Sequence, residues 1–316
     1  MKQILLLMIL GTTLAPRAQN SNGTEHPVRD IYKQVRFRDQ AIEYRANIQI
    51  GASCFEFYVN DLLVAYYFGN ANGTFYTSTP VNNAILKSGT QKWKLILYPA
   101  FLNGKQENTL SGNLLASVSI EGLTGTRAGN RAGATARLIA ISQQEPGSIS
   151  ATAGKPLAVY EGEFSAAVPY TLPGWNNSED LTKEDEKKLL QEVIEVNQRY
   201  LDLFKNKDIN GLQAMVYKKE QETQQADFDD QAGSSENYTA YTGVFDLPDA
   251  EFLPIENYKL KIFGNGRLVT LVRKDFPNID EPVVRIRYSK NGRRRIKAMQ
   301  GVFHKPAGSG HLELIR

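Results

Sequence analysis

The stretch ANIQIGASCFEFYVNDLLVAYYF, residues 46–68, has apolar side chains at nearly every second position and a break at Asn60-Asp61. A period of two is that of a β-strand with one buried face, and Asn and Asp accept the positive φ angles of a two-residue hairpin turn. The stretch therefore predicts a hairpin between FEFYV and LLVAYYF. Phe55, Phe57 and Val59 fall on one face, and Glu56 and Tyr58 on the other. Tyr66, Tyr67 and Phe68 are consecutive and cannot all face one core. Tyr66 and Tyr67 are thus candidate contact residues for a protein or a sugar ring, unless a second layer covers that face.

The same period continues downstream. KWKLILYP (92–99) follows the turn KSGTQ (87–91), and further strands are expected at 113–122, 134–143 and 155–168. Short strands separated by turn signals predict an all-β sandwich over 42–168. The glycine-rich run GLTGTRAGNRAGAT (122–135) lacks the Gly-Lys-Ser/Thr ending of a phosphate loop and is read as a loop. Upstream, Lys2 precedes the apolar run ILLLMILGTTLA (4–15), which has signal-peptide length and is too short to span a bilayer. APRAQN (15–20) offers Ala18 as a cleavage position, with Pro16 departing from the small residue usual there. Residues 1–18 are read as a signal peptide and 19–41 as an irregular segment.

Prolines, a glycine and asparagines break the pattern at VPYTLPGWNNSED (168–180), so 169–181 is expected to be a linker. Beyond it the period changes to that of a helix. Leu189, Leu190, Val193, Val196, Tyr200 and Leu203 recur at three- and four-residue steps, with Ser178 or Thr182 as expected caps. A second, shorter helix is expected over 207–223 and an acidic loop over 227–236. From Tyr258 strands return, with hairpin turns at GNG (264–266) and KNG (290–292). Residues 182–316 thus read as an α+β domain, a helix pair packed on an antiparallel sheet.

Charge is distributed unevenly. The 316 residues carry a net charge of only +3, but residues 255–316 hold 14 Lys and Arg against 5 Asp and Glu, and residues 176–254 hold 8 against 18. The hairpin VVRIRYSKNGRRRIKAMQ (283–300) concentrates the basic groups. Strand parity separates Val284, Ile286 and Tyr288 from Arg285 and Arg287, and places Arg293, Arg295 and Lys297 together across the turn. Arg285, Arg287, Arg293, Arg295 and Lys297 are the candidate partner-binding residues, their expected ligand an acidic protein surface. The rival reading is an ordinary solvated face, or one neutralised by the acidic helices. Nucleic acid is not expected, because the hairpin lacks interleaved aromatics for base stacking.

No catalytic, cofactor or metal signature stands out. Cys54 is the only cysteine, so neither an intrachain disulfide nor a cysteine-based zinc site can form. His26, His304 and His311 lack metal-ligand spacing. DFDDQAGSSE (227–236) starts like a calcium loop, but Ala232 and Tyr238 stand where the turn glycine and the bidentate acid are needed. No transmembrane segment is expected in the mature chain.

FYVND (57–61) followed by LLV, and then PVNNAILKSGTQKWKLILYP (80–99), resemble the N-terminal β-sandwich of exported bacterial proteins found among immunity-like and uncharacterised envelope proteins. The helix pair and the sheet ending in HLELIR (311–316) are similar in layout to the companion domains there, and to the nuclear-transport-factor-2-like fold. The resemblance covers most of the mature chain, rests on structural turns and strand ends, and carries over no catalytic residue. It implies a periplasmic or extracellular, non-enzymatic binding protein, of the kind that neutralises a toxin by protein contact. A carbohydrate- or surface-binding envelope module is the first alternative. The second is an enzyme with a pocket in the α+β domain. If residues 1–18 are a signal peptide, N-terminal sequencing of envelope material should begin near Gln19; soluble cytoplasmic protein that keeps Met1 would remove the export reading.

Overall fold

The structure is a computed structural model. It describes residues 27–70, 73–124, 135–141 and 151–316, with 135–141 described by backbone alone. The expected signal peptide and most of the glycine-rich run lie outside the described residues. The chain is built mainly of antiparallel sheets with three α-helices.

The N-terminal half contributes β1 (Ile42–Gly51), β2 (Cys54–Val59), β3 (Leu62–Tyr67), β4 (Thr74–Pro80), β5 (Gly89–Tyr98), the short pair β6 (Phe101–Leu102) and β7 (Lys105–Gln106), β8 (Leu115–Thr124), β9 (Thr135–Ile141) and β10 (Ala158–Ala166). Two four-stranded sheets result, in the orders β4-β1-β8-β9 and β10-β5-β2-β3. Alternation fixes which side is buried. Ala46, Ile48 and Ile50 of β1 and Ala116, Val118 and Ile120 of β8 share one core with Phe55, Phe57, Val59, Leu95 and Leu97 of the second sheet. The expected hairpin is present: Asn60 and Asp61 both have positive φ, 49° and 59°, and β2 pairs with β3 across them. Sequence reading missed β4, whose TFYTSTP is too rich in threonine and serine to show an apolar period.

The segment 169–181 is packed down, not free as a linker would be. Tyr170, Leu172 and Trp175 are buried in the first core, and Leu172 N–H donates to Leu86 O at 2.8 Å. Residues 27–41 carry two short 3-10 turns, Ile31–Lys33 and Arg38–Gln40, and Val28, Ile31 and Val35 are buried in the second core, with the C-terminal helices.

The C-terminal half consists of α1 (Glu186–Lys205), α2 (Ile209–Ala226), α3 (Gln231–Thr242) and the strands β11 (Glu251–Phe252), β12 (Tyr258–Phe263), β13 (Leu268–Arg273), β14 (Val284–Lys290), β15 (Arg293–Met299), β16 (Phe303–His304) and β17 (Glu313–Leu314). The caps differ from expectation. Asp185, Asp208 and Asp230 each accept a hydrogen bond from the backbone N–H three residues on, at 2.9 Å in every case. Each such cap is worth about 1 kcal/mol. The expected acidic loop at 227–236 is a helix junction instead, with α3 starting at Gln231. Gly233, Ser234 and Ser235 blur the apolar stripe that would have announced this helix. The strands form two sheets, β11-β14-β15 and β12-β13-β16-β17. Leu189, Val193 and Tyr200 of α1 pack with Val284, Ile286 and Met299.

The two halves meet on the outer face of β2. All six residues of that strand are buried, because Glu56 and Tyr58 face β12 and the loop ahead of β14. Glu56 accepts hydrogen bonds from Tyr58 and Tyr98 at 2.9 and 2.8 Å and pairs with the Lys261 ammonium. Lys261 also binds Asp280 at 2.6 Å, and Lys259 reaches the same carboxylate at 2.7 Å. The β2–β3 turn then docks on the β12–β13 turn: Gly264 N–H donates to Asp61 O at 3.0 Å and Asn265 N–H to the Asp61 carboxylate at 2.9 Å.

Burial alone would raise the Asp280 pKa, but the polar shell of Glu56, Lys261 and Lys259 outweighs that and holds it down at about 2. A depressed carboxylate adds stability above its ordinary value of 3.8, and this is lost as pH falls toward 2. Lys261→Met leaves the buried Glu56 without its cation, beside an Asp280 that keeps only Lys259. It should cost about 3–5 kcal/mol near neutral pH in denaturant unfolding. The deficit should narrow on acidification, as protonation of those carboxylates becomes favourable in the variant; an equal deficit at pH 4 and pH 7 would show that the ions do not control the seam.

Candidate partner-binding site on the basic hairpin

The β14–β15 hairpin closes through Asn291 and Gly292, with φ of 53° and 70°, the left-handed pair that a two-residue turn requires. Such a turn pairs even-numbered residues with odd-numbered ones. Tyr288 lies opposite Arg295, Lys290 opposite Arg293, and Ile286 opposite Lys297. Arg285 and Arg287 lie opposite Ala298 and Ile296. The five candidate basic residues therefore do not form one face. Arg293, Arg295 and Lys297 share the side of Val284, Ile286 and Tyr288, while Arg285 and Arg287 point the other way.

The two faces differ in how their charge is met. Arg287 donates twice to Glu251, at 2.9 and 2.8 Å, and Arg294 reaches the same carboxylate at 3.1 Å. Arg285 is 8% exposed, donates to Asn278 at 3.1 Å and lies 3.4 Å from Glu281. Burial pulls its guanidinium pKa down, against the pull of Glu281. Each arginine of this outer face is paired, two of them with one carboxylate, and the partners come from β11 and the loop ahead of β14, not from the acidic helices. On the inner face Arg293 and Arg295 are exposed and Tyr288 half-buried. Among the described residues, Lys290, Arg293 and Arg295 have no carboxylate within salt-bridge distance. Together with Tyr288 and Asn291 they line an open hollow of about 540 Å³. Lys297 sits deeper beside them, and burial lowers its ammonium pKa.

Tyr66 and Tyr67 lie apart from this hollow and are already engaged. Tyr66 packs on the small aromatic cluster of Phe68 and Phe101, and burial pushes its hydroxyl up to about 12, with Glu281 and Asp280 adding to the rise. Tyr67 donates to Asn70 O at 2.8 Å, and its ring stands 4.8 Å from Phe75. Among the described residues the aromatic that projects furthest is Tyr76 on β4, 68% exposed. The periodicity signal could not find it.

Other polar groups are sealed or structural. Cys54 is fully buried, which raises its thiol to about 11. Ser178 Oγ lies 2.7 Å from His304 Nδ1, but both residues are buried, and burial lowers the imidazole to about 4. Among the described residues no group of three or more His, Cys, Asp or Glu is arranged for a metal, and no helix is long and apolar enough to cross a membrane. A polar groove of about 580 Å³ runs along the seam, lined by Asn60, Lys92, Glu161, Trp175 and Asn265 among others.

The division of the hairpin is measurable. Arg285→Ala should cost about 1–3 kcal/mol in denaturant unfolding, since it removes a buried side chain together with its hydrogen bond to Asn278. Arg293→Ala should stay within roughly 0.5 kcal/mol. Equal costs would mean that the inner face is structural too. A scan of protein-family models and searches of curated proteins and of solved structures returned no match to this chain, so the site is read from its own geometry.

Proposed function

We propose that this chain is an exported, non-enzymatic binding protein that holds an acidic protein surface in the hollow around Tyr288. In this reading the N-terminal half is a β-sandwich and the C-terminal half a nuclear-transport-factor-2-like cone, and the role is of the immunity type, neutralisation of a toxin in the periplasm. The observation that carries it is the unequal treatment of the basic residues. The molecule compensates Arg285, Arg287 and Arg294 with its own Glu281 and Glu251, and leaves Lys290, Arg293 and Arg295 around an accessible tyrosine. Tyrosine and arginine are the side chains that dominate protein interfaces, and uncompensated charge at a rim speeds encounter with an opposite surface. A glycan is the second reading. Since Tyr66 and Tyr67 are engaged, it rests on the polar groove along the seam.

The test is the double change Arg293→Glu and Arg295→Glu, with a partner first recovered from envelope extract. Association should slow by at least tenfold at low salt and lose most of its salt dependence, while the unfolding midpoint stays close to that of the wild type. Unchanged association with a marked loss of stability would assign these arginines to internal structure. A partner whose binding ignores the hairpin but fails on changes at Lys92 and Glu161 would favour the seam groove.

A further inference from the structure

The sheet β11-β14-β15 ends at β15. On the far side of β14, Leu253 N–H donates to Arg285 O at 3.0 Å and Ser289 N–H donates to Pro248 O at 2.9 Å. The odd-numbered residues of β14 thus turn their peptide groups toward β11, and the even-numbered ones turn theirs toward β15. Across the register, Arg293, Arg295, Lys297 and Met299 of β15 bond back to β14. Arg294, Ile296 and Ala298 direct their N–H and C=O groups outward. Among the described residues no backbone group pairs with them.

This edge has two unlike sides. Arg293, Arg295 and Lys297 project on the inner side. On the outer side stand Ile296, 39% exposed and one of the few large apolar side chains left in solvent, the exposed Ala298, and Arg294 already paired with Glu251. Resting on the binding role proposed above, we infer that β15 takes up an extended segment of the acidic partner as an added strand. The segment would alternate acidic and apolar residues, its carboxylates beside Arg293, Arg295 and Lys297 and its apolar side chains beside Ile296 and Ala298. Strand addition supplies affinity through main-chain hydrogen bonds, and alternate side chains supply selectivity. The arginine row also excludes a second copy of the same edge, because antiparallel self-pairing would set like charges side by side.

Two seven-residue peptides of one composition serve as probes, one alternating Glu with Val, the other with its Glu residues grouped at one end. The alternating peptide should bind at least roughly tenfold tighter, the equivalent of one or two good hydrogen bonds. Its binding should protect the amides of Arg294, Ile296 and Ala298 from hydrogen exchange. Ala298→Pro, which removes one outward N–H at a position where an edge tolerates proline, should abolish most of this advantage, and Ala298→Ser should keep it. Exchange measured on the wild-type chain gives the answer even if the proline variant does not fold. Equal affinity for the two peptides with no new protection overturns strand addition; if that binding is still lost on Arg293→Glu with Arg295→Glu, the basic face stands as a surface without an added strand. Failure of both peptides to bind at low salt overturns the inference and counts against the acidic-partner reading as well.

Discussion

A single ammonium group organises the seam between the two halves. Lys261 stands between Glu56 and Asp280, with Tyr58 and Tyr98 completing the shell of Glu56. Charges out of water are tolerated only when each is paired and its remaining hydrogen-bonding capacity is met. That requirement fixes β12 and the loop around Asp280 against the outer face of β2. From there the contact between the Asp61 and Gly264 turns follows, and so does the covering of a strand that would otherwise show Glu56 and Tyr58 to solvent. The first core accordingly runs across the seam and includes Phe263, Leu268, Val302 and Ile315 beside the strands of the N-terminal half.

The hairpin follows a different logic. Its charges are sorted by side, with internal carboxylates on one and solvent on the other. Exposed pairs such as Arg287–Glu251 add little to stability, at most about 1 kcal/mol, so their main effect is on the surface potential. They reduce the charge of the outer face and leave the inner one as the stronger field. The net charge of the whole chain, only +3, hides this local asymmetry.

Much of this was legible in the residues. The Asn60-Asp61 and Asn291-Gly292 turns, the apolar alternation of β2 and β5 and the stripe of α1 are local signals, and local sterics decide them. Less local features were lost. β4 shows no period, because Thr and Ser suit an edge whose side chains meet water on one side. α3 was hidden by Gly233 and two serines, and only its Asp230 cap, in hindsight, marks its start. At the site, the parity of each strand was readable, but which parities share a face depends on the register across the turn. The roles of Glu251 and Glu281 depend on strands and loops that come together only in the fold, as does the covering of Tyr66 and Tyr67.

One connection changes how the chain must assemble. Val28, Ile31 and Val35 are buried with the helices of the other half, and Arg36 N–H and the Arg38 guanidinium are held by Gln225 and Asp229, 189 and 191 residues further along. As a ribosome extends the chain, an early segment therefore waits through the synthesis of two whole sheets before its seat exists. Contacts that distant delay closure, since the entropy of ordering the intervening chain is lost before any contact forms to offset it. The helical core can be finished only late, and until then its unfilled groove between α2 and α3 is the part of the nascent molecule most open to misassociation.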